Sequence, residues 1–547
     1  MASLFRRGRC GGATAALALL PALVLAGGQA GAPTVTADSG TVQGEYVGAD
    51  KNVAAFLGIP YAAPPVGDLR WKPPQPVKAW KGTRPARQFG PACPQPDMMG
   101  AFLKSIVKTL GGDESLVPGL GPTSEDCLSL NVWTANLHGQ TKQPVMVWIH
   151  GGAGFIGRGT DEGAGWVQKG VVAVSINYRL GTLGFLALPA LTAESPRHSS
   201  GADAILDQIA ALEWVRRNIA ALGGDPANVT VYGQSSGGEF IGALLVSPLA
   251  KGLFQRATIQ SGFPFPFGQQ RLSAVAGPIE SAHDSGRKIV EQLGVKQSSN
   301  LLSELRGLPV EKIVSTEPPW DYKPPVDGWV IPEDPVEALR SGHGANVPLL
   351  VGSTTDEATV LVDFFLTDRS EASYRAWLKQ NYGDFDETLL GRYPISGPHG
   401  AMGSFVALVG ADADCAARDE ARLSAHGGRK VYRYRVSYQF PGAGGAQLRA
   451  FHMIDVFLSF DYAKLFRIPI DGAGVSLAET MRNYWLQFAR TGNPNRTGLP
   501  EWPAYGATED QYLDLGRTIQ LKHEPDERTC DLFYQIRIER RGVGVPH

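Results

Sequence analysis

The chain has 547 residues, of which 43% are hydrophobic and 19% charged, enough apolar material for a large core and too little charge for a disordered polymer. Lys and Arg number 51 against 53 Asp and Glu, a net charge of −2, so no basic excess points to nucleic acid or to an anionic membrane surface as partner.

At the N-terminus Arg6, Arg7 and Arg9 precede an apolar run from Ala13 to Ala26, interrupted only by Thr14 and Pro21, and small residues lead on to Ala30. This is the layout of a secretory signal peptide with cleavage after Ala30. The run is shorter than the roughly 20 apolar residues that span a bilayer, and it contains proline. No stable membrane anchor is therefore expected, and the destination is secreted or periplasmic. Loss of three Arg and no acids would leave 48 basic against 53 acidic residues, a mature charge of −5. Cys10 leaves with the leader, and Cys93, Cys127, Cys415 and Cys530 remain. Four cysteines in an exported chain predict two disulfides with three possible pairings. There is no CxxC, HExxH or clustered Cys/His pattern, so no metal is expected.

In chain order, Val145–Ile149 and Val171–Asn177 read as buried strands. Ile205–Ile219, with Ile205, Ile209, Leu212, Val215 and Ile219 three or four residues apart, reads as an amphipathic helix. Val229–Tyr232 is a third strand, Phe240–Val246 a helical apolar run, and Leu349–Gly352 and Val431–Val436 are further strands. Strands alternating with helices imply an α/β fold with a parallel sheet. No repeat, low-complexity tract or long linker divides residues 31–547, which predicts one elaborated domain.

The sharpest local feature is Gly233-Gln234-Ser235-Ser236-Gly237-Gly238, a GxSxG between a strand and a helix. Glycines at both flanks permit a turn that exposes the Ser235 hydroxyl at the sheet edge, in front of a helix N-terminus that favours developing negative charge. Ser235 is the candidate nucleophile; Ser236 and Ser261 do not occupy the centre of such a turn and are read as structural. His150-Gly151-Gly152-Ala153-Gly154-Phe155 follows a strand and offers backbone N–H groups for an oxyanion. The expected donors are Gly152, Ala153 and Ser236. The order serine, acid, histidine makes His150 structural and leaves His399, His426, His452, His523 and His547 as candidate bases. Asp356 and Glu357, just beyond a strand's C-terminal end, are the candidate acids.

Further segments carry a family likeness: Phe56–Tyr61, Pro64–Trp71, Ser124–Trp133, Asn177–Arg179 and Gly223–Pro226. With them the chain from about Gly40 to Gln535 resembles the type-B carboxylesterases, which include cholinesterases and bacterial p-nitrobenzyl esterases. The resemblance implies an α/β-hydrolase fold, a large mostly parallel central sheet with helices on both faces and long insertions. It implies a Ser235–Glu357–His452 triad, oxyanion donors Gly152, Ala153 and Ser236, disulfides Cys93–Cys127 and Cys415–Cys530, and an Arg70–Glu125 ion pair. The expected activity is acyl transfer from a small-molecule ester through an acyl-enzyme, by a monomer or weak dimer without cofactor.

The chain departs from that pattern at several points. Gln234 and Ser236 stand where the family usually has Glu and Ala, and Ala202 and Ala204 replace an Asn and a Gly. The stretch between Cys93 and Cys127 has no Trp, so a cation–π contribution of about 1–2 kcal/mol is missing. These changes favour uncharged or anionic esters over choline esters. Phe263, Phe265, Trp320 and Trp329 are candidates for lining the pocket. Residues 94–126, with Met98, Met99, Phe102 and Leu103, are a candidate lid, or alternatively a fixed loop tied by a disulfide. A mobile lid would suit a lipase, and loss of the triad would suit a binding protein on the same fold. Asn228-Val229-Thr230 and Asn495-Arg496-Thr497 are formal glycosylation sites.

Overall fold

The computed structural model describes residues 31–160, 163–262, 270–273, 280–296, 298–316, 322–396, 400–506, 508–524 and 527–540. The leader expected over residues 1–30, together with His399, His547, Phe263, Phe265 and Trp320, lies outside the described residues. Fourteen strands are present among the described residues: β1 (Thr34–Ala37), β2 (Gly40–Gln43), β3 (Glu45–Val47), β4 (Val53–Pro60), β5 (Thr83–Pro85), β6 (Ser129–Thr134), β7 (Gln143–Ile149), β8 (Val172–Ile176), β9 (Gly224–Gln234), β10 (Arg256–Gln260), β11 (Leu349–Thr354), β12 (Val431–Val436), β13 (Gln511–Leu515) and β14 (Ile519–His523). Eleven form one sheet in the order β14-β13-β12-β11-β10-β9-β7-β8-β6-β4-β3, and β1, β2 and β5 form a small second sheet.

From β8 through β7, β9, β10, β11 and β12 to β13 every neighbour is parallel. The two ends are antiparallel, with β6, β4 and β3 at one and β14 at the other. This is the α/β-hydrolase architecture, with the parallel part in the middle of the sheet. The predicted strands are all found, β9 being longer than Val229–Tyr232 at both ends.

Alternation along β7 shows why both faces are covered. Val145, Val147 and Ile149 enter one apolar core with Ile205, Ile209, Leu212 and Val215 of the helix Asp203–Asn218. Met146 and Trp148 enter another with Met481, Trp485 and Phe488 of the helix Gly472–Thr491. A strand that is apolar at every position is the mark of a sheet buried on both sides. A third, smaller core gathers around Cys415 and Cys530, which are disulfide-bonded, as are Cys93 and Cys127. The Arg70–Glu125 pair is bidentate at 2.6 Å, and Arg70 also donates to the carbonyls of Arg306 and Leu308.

The helix Gly400–His426 buries charge instead of apolar surface alone. Its Asp412 and Asp419 are held by Arg537 from the helix Glu527–Arg540, with Arg537 Nη1 2.6 Å from an Asp419 carboxylate oxygen and Nη2 on the Asp412 carboxylate. Burial raises the Asp419 carboxyl above the ordinary carboxylate range, against the pull of Arg537. Removing one partner of such a buried set strands the others. Arg537→Ala is therefore expected to cost about 3–5 kcal/mol, read as a lowered urea unfolding midpoint, whereas Arg369→Ala, which breaks an exposed pair with Asp363, should leave the midpoint in place.

Candidate active site

Because the parallel strands share a register, their carboxyl ends meet at one edge. Gly233 of β9 sits opposite Ile149 of β7 and Ile259 of β10, and Gln260 sits opposite Gly352 of β11. The residues immediately beyond these ends are His150, Ser235, Ser261 and the segment leading to Glu357.

Ser235 joins β9 to the helix Ser236–Val246 with φ 57° and ψ −133°, a conformation that few side chains adopt. Its N–H donates to Gln260 O at 2.9 Å, which holds the strained turn. The helix begins so close to β7 that a Cβ on Gly237 would lie 2.1 Å from Ile149 O, so this position accepts glycine alone. Ser236, as the first helical residue, has an N–H with no partner in its own helix. Its hydroxyl accepts from Gly154 N–H at 3.1 Å and so ties the glycine loop to the helix.

That loop follows β7 with Gly152, Ala153 and Gly154 all at positive φ. A Cβ on Gly152 would meet Ile156 O at 2.1 Å. Among the described residues the N–H groups of Gly152 and Ala153 donate no hydrogen bond.

Glu357 is 2% exposed. One carboxylate oxygen accepts from Thr354 N–H at 2.7 Å and the other contacts His452 Nδ1 in a short hydrogen bond. Its neighbour Asp356 turns away, accepting from Thr355 Oγ1, Ala450 N–H and Arg449, while its N–H donates to Ala450 O. Asp356 thus fastens the loop carrying the acid to the loop carrying the histidine. Asp455 lies behind the pair, fully buried, and accepts from Tyr434 Oη at 3.1 Å; burial raises its carboxyl.

Of the other candidate histidines, His426 ends a helix in solvent and His523 is exposed, with Nδ1 on Glu509 O. His150 is stacked on Tyr178 with centroids 4.4 Å apart, and burial lowers it to about 4, so it stays neutral. Ser261 Oγ is buried without a hydrogen-bond partner. On its other side the His452 ring does not meet the serine. Gln234 Nε2 lies 2.9 Å from His452 Nε2, and Ser235 Oγ makes no hydrogen bond among the described residues.

Ser235, Gln234 and His452 open into a cavity of about 500 Å³. Its walls include Met99, Phe102 and Leu103 from the Cys93–Cys127 loop, Phe364 and Phe365 beyond Glu357, and Tyr462 and Phe466. Phe102 and Phe364 meet edge to face with centroids 5.5 Å apart. Trp329, a predicted lining residue, is not among them; Arg197 covers its ring at 5.7 Å. The aromatic walls come from insertions, whose apolar residues carry no periodic signal that separates cavity from core. The 94–126 segment is seated on its other side: the helix Met99–Thr109 buries Ile106 and Val107, and Asp113 N–H donates to Phe466 O at 2.8 Å. Asn228 accepts from Arg256, and Asn495 exchanges hydrogen bonds with the backbone of Trp502.

A hydroxyl at a helix N-terminus, backbone donors beside it and a carboxylate–imidazole pair across the cavity are the parts of an acyl-transfer site. Residues 31–533 match the Carboxylesterase family. The chain is 35% identical over 482 residues to a fumonisin B1 esterase of Sphingopyxis macrogoltabida, covering 85% of this chain and 84% of that one. It is 32% identical to the para-nitrobenzyl esterase of Bacillus subtilis, covering 91% and 98%. Among solved structures it resembles a carboxylesterase of Geobacillus stearothermophilus, with a TM-score of 0.76, 31% identity and coverage of 91% and 99%. The chain belongs to the carboxylesterase family and is a carboxylic ester hydrolase. Gly152→Ala should drive the new methyl into Ile156 O and misplace the loop, lowering kcat for a p-nitrophenyl ester by about 10²–10³-fold.

Proposed function

We propose that the chain hydrolyses small to medium uncharged or anionic carboxylic esters through an acyl-enzyme on Ser235. The observation that carries this reading is the buried Glu357–His452 hydrogen bond facing the cavity that Ser235 enters. His452 takes the Ser235 proton as the oxygen attacks the ester carbonyl, and Glu357 keeps Nδ1–H in place and steadies the imidazolium. The N–H groups of Gly152, Ala153 and Ser236 receive the oxyanion, the alcohol leaves with the proton from His452, and water repeats the sequence on the acyl-enzyme. Among the described residues lining the cavity there is no carboxylate, which supports uncharged or anionic esters over cationic ones. Residues 31–547 act in this reading as one catalytic domain, delivered outside the cytosol after loss of the leader; the two disulfides support that destination.

A long-chain, lipase-like preference has one observation in its favour: Phe89, Leu116 and Leu465 line the cavity and are also 37–47% exposed, making an apolar mouth. Hydrolysis of p-nitrophenyl esters from C2 to C16 separates the two. We expect the rate to peak at short to medium chains, to fall by about 10⁴–10⁶-fold in Ser235→Ala, and to fall by about 10⁴-fold in Glu357→Gln. A maximum at C12 to C16 would make the enzyme a lipase, and turnover that survives Ser235→Ala would remove the triad reading.

A further inference from the structure

The contact between Gln234 and His452 occupies the place where the serine hydroxyl must donate. Gln234 is the last residue of β9, 3% exposed, and its side chain lines the cavity beside Ser235. Glu357 engages His452 Nδ1, so the neutral ring carries its proton on Nδ1 and presents a lone pair at Nε2. Of the two ends of a Gln amide, only the NH₂ matches a lone pair, in keeping with Nε2 at 2.9 Å. We propose that Gln234 is a positioning residue that holds the base of the empty enzyme by its lone pair and yields that lone pair to Ser235 Oγ when substrate fills the cavity. This rests on His452 as the base assigned above.

The amide suits both stages of catalysis. While His452 is neutral the NH₂ donates to it; once Nε2 carries the serine proton, rotation of the amide by half a turn offers Oε1 as acceptor. A carboxylate at this position could only accept, and would favour the imidazolium throughout. A thioether of the same length would do neither. Among the described residues, the other charged or titratable groups around the ring are Glu357, Asp455 with Tyr434 behind it, the Asp356–Arg449 pair at the base of the histidine loop, and His150, which lines the same cavity. None of these takes the Nε2 side, so a substitution at 234 changes the partner of that nitrogen alone.

The test is the pH dependence of kcat/KM for p-nitrophenyl butyrate from pH 5 to 9, on the full chain carrying Gln234, Gln234→Met or Gln234→Glu, with Ser235→Ala as blank. The expected result is an acid limb that moves to higher pH in that order, with Gln234→Glu displaced by at least about half a pH unit. The high-pH plateau of Gln234→Met should fall by no more than about tenfold, because the positioning amide is lost while Ser235, His452 and Glu357 are kept. Both replacements are close in volume to Gln, and either one alone decides the matter if the other does not fold. Coincident acid limbs, or a hundredfold loss of plateau in Gln234→Met with an unmoved limb, would overturn the proposal and make Gln234 a packing residue. Turnover that survives in Ser235→Ala would overturn the triad, and this inference with it, so the two failures are told apart.

Discussion

Everything at the site depends on how closely one helix approaches one strand. The helix Ser236–Val246 starts so near the end of β7 that Gly237 has no room for a side chain, and the carbonyl of Ile149 fills the space. That approach has three consequences at once. It forces Ser235 into a turn held by Gln260, it aims the helix N-terminus at the cavity, and it brings the Gly152–Gly154 loop within reach of the Ser236 hydroxyl. Ser235, the helix N-terminus and the Gly152–Gly154 loop are therefore one rigid object, and its cost in backbone strain at Ser235, of the order of 1–3 kcal/mol, is held by a sheet buried on both faces.

Glu357 and His452 form a second object. Asp356 bonds to Ala450, and Glu357 bonds to His452 two residues further on, so the two loops move together if they move at all. Where the two objects touch, the link is Gln234 and not the serine. Selectivity has a third origin: the walls come from the Cys93–Cys127 loop and from segments beyond Glu357 and His452, which can vary without disturbing either object. One sheet edge can in this way serve many esters.

Legibility in the sequence follows the physics of each part. The parallel centre announces itself, because strands buried on both faces are continuous apolar runs, and Val431–Val436 is found at the predicted residues. The antiparallel end is harder to read: β3 has only three residues, β6 carries Ser129, Asn131 and Thr134 among its apolar residues, and β4, though an apolar run, is bulged between Phe56 and Ile59. Ser235 and the glycine loop are legible because their chemistry needs local sequence. The acid is not: Asp356 and Glu357 are adjacent carboxylates, and only the family resemblance or the three-dimensional path of the loop separates them. The helix Gly400–His426 hides its buried face because that face carries Asp412, Asp414, Arg418, Asp419 and Glu420, which read as solvent-facing until their partners are seen. The contact of Gln234 with His452 spans 218 residues and leaves no trace in either local pattern.

Those partners arrive late. Arg537, which neutralises Asp412 and Asp419, follows them by 125 and 118 residues, and Cys530 follows its mate Cys415 by 115. A polypeptide made from its N-terminus onward therefore carries this helix with Asp412 and Asp419 lacking their arginine until Arg537 has been added. The catalytic edge is complete in sequence by His452, but the layer that braces it is not. A nascent chain that stops after His452 therefore lacks the segment that locks this layer, and Asp412 and Asp419 stay without Arg537.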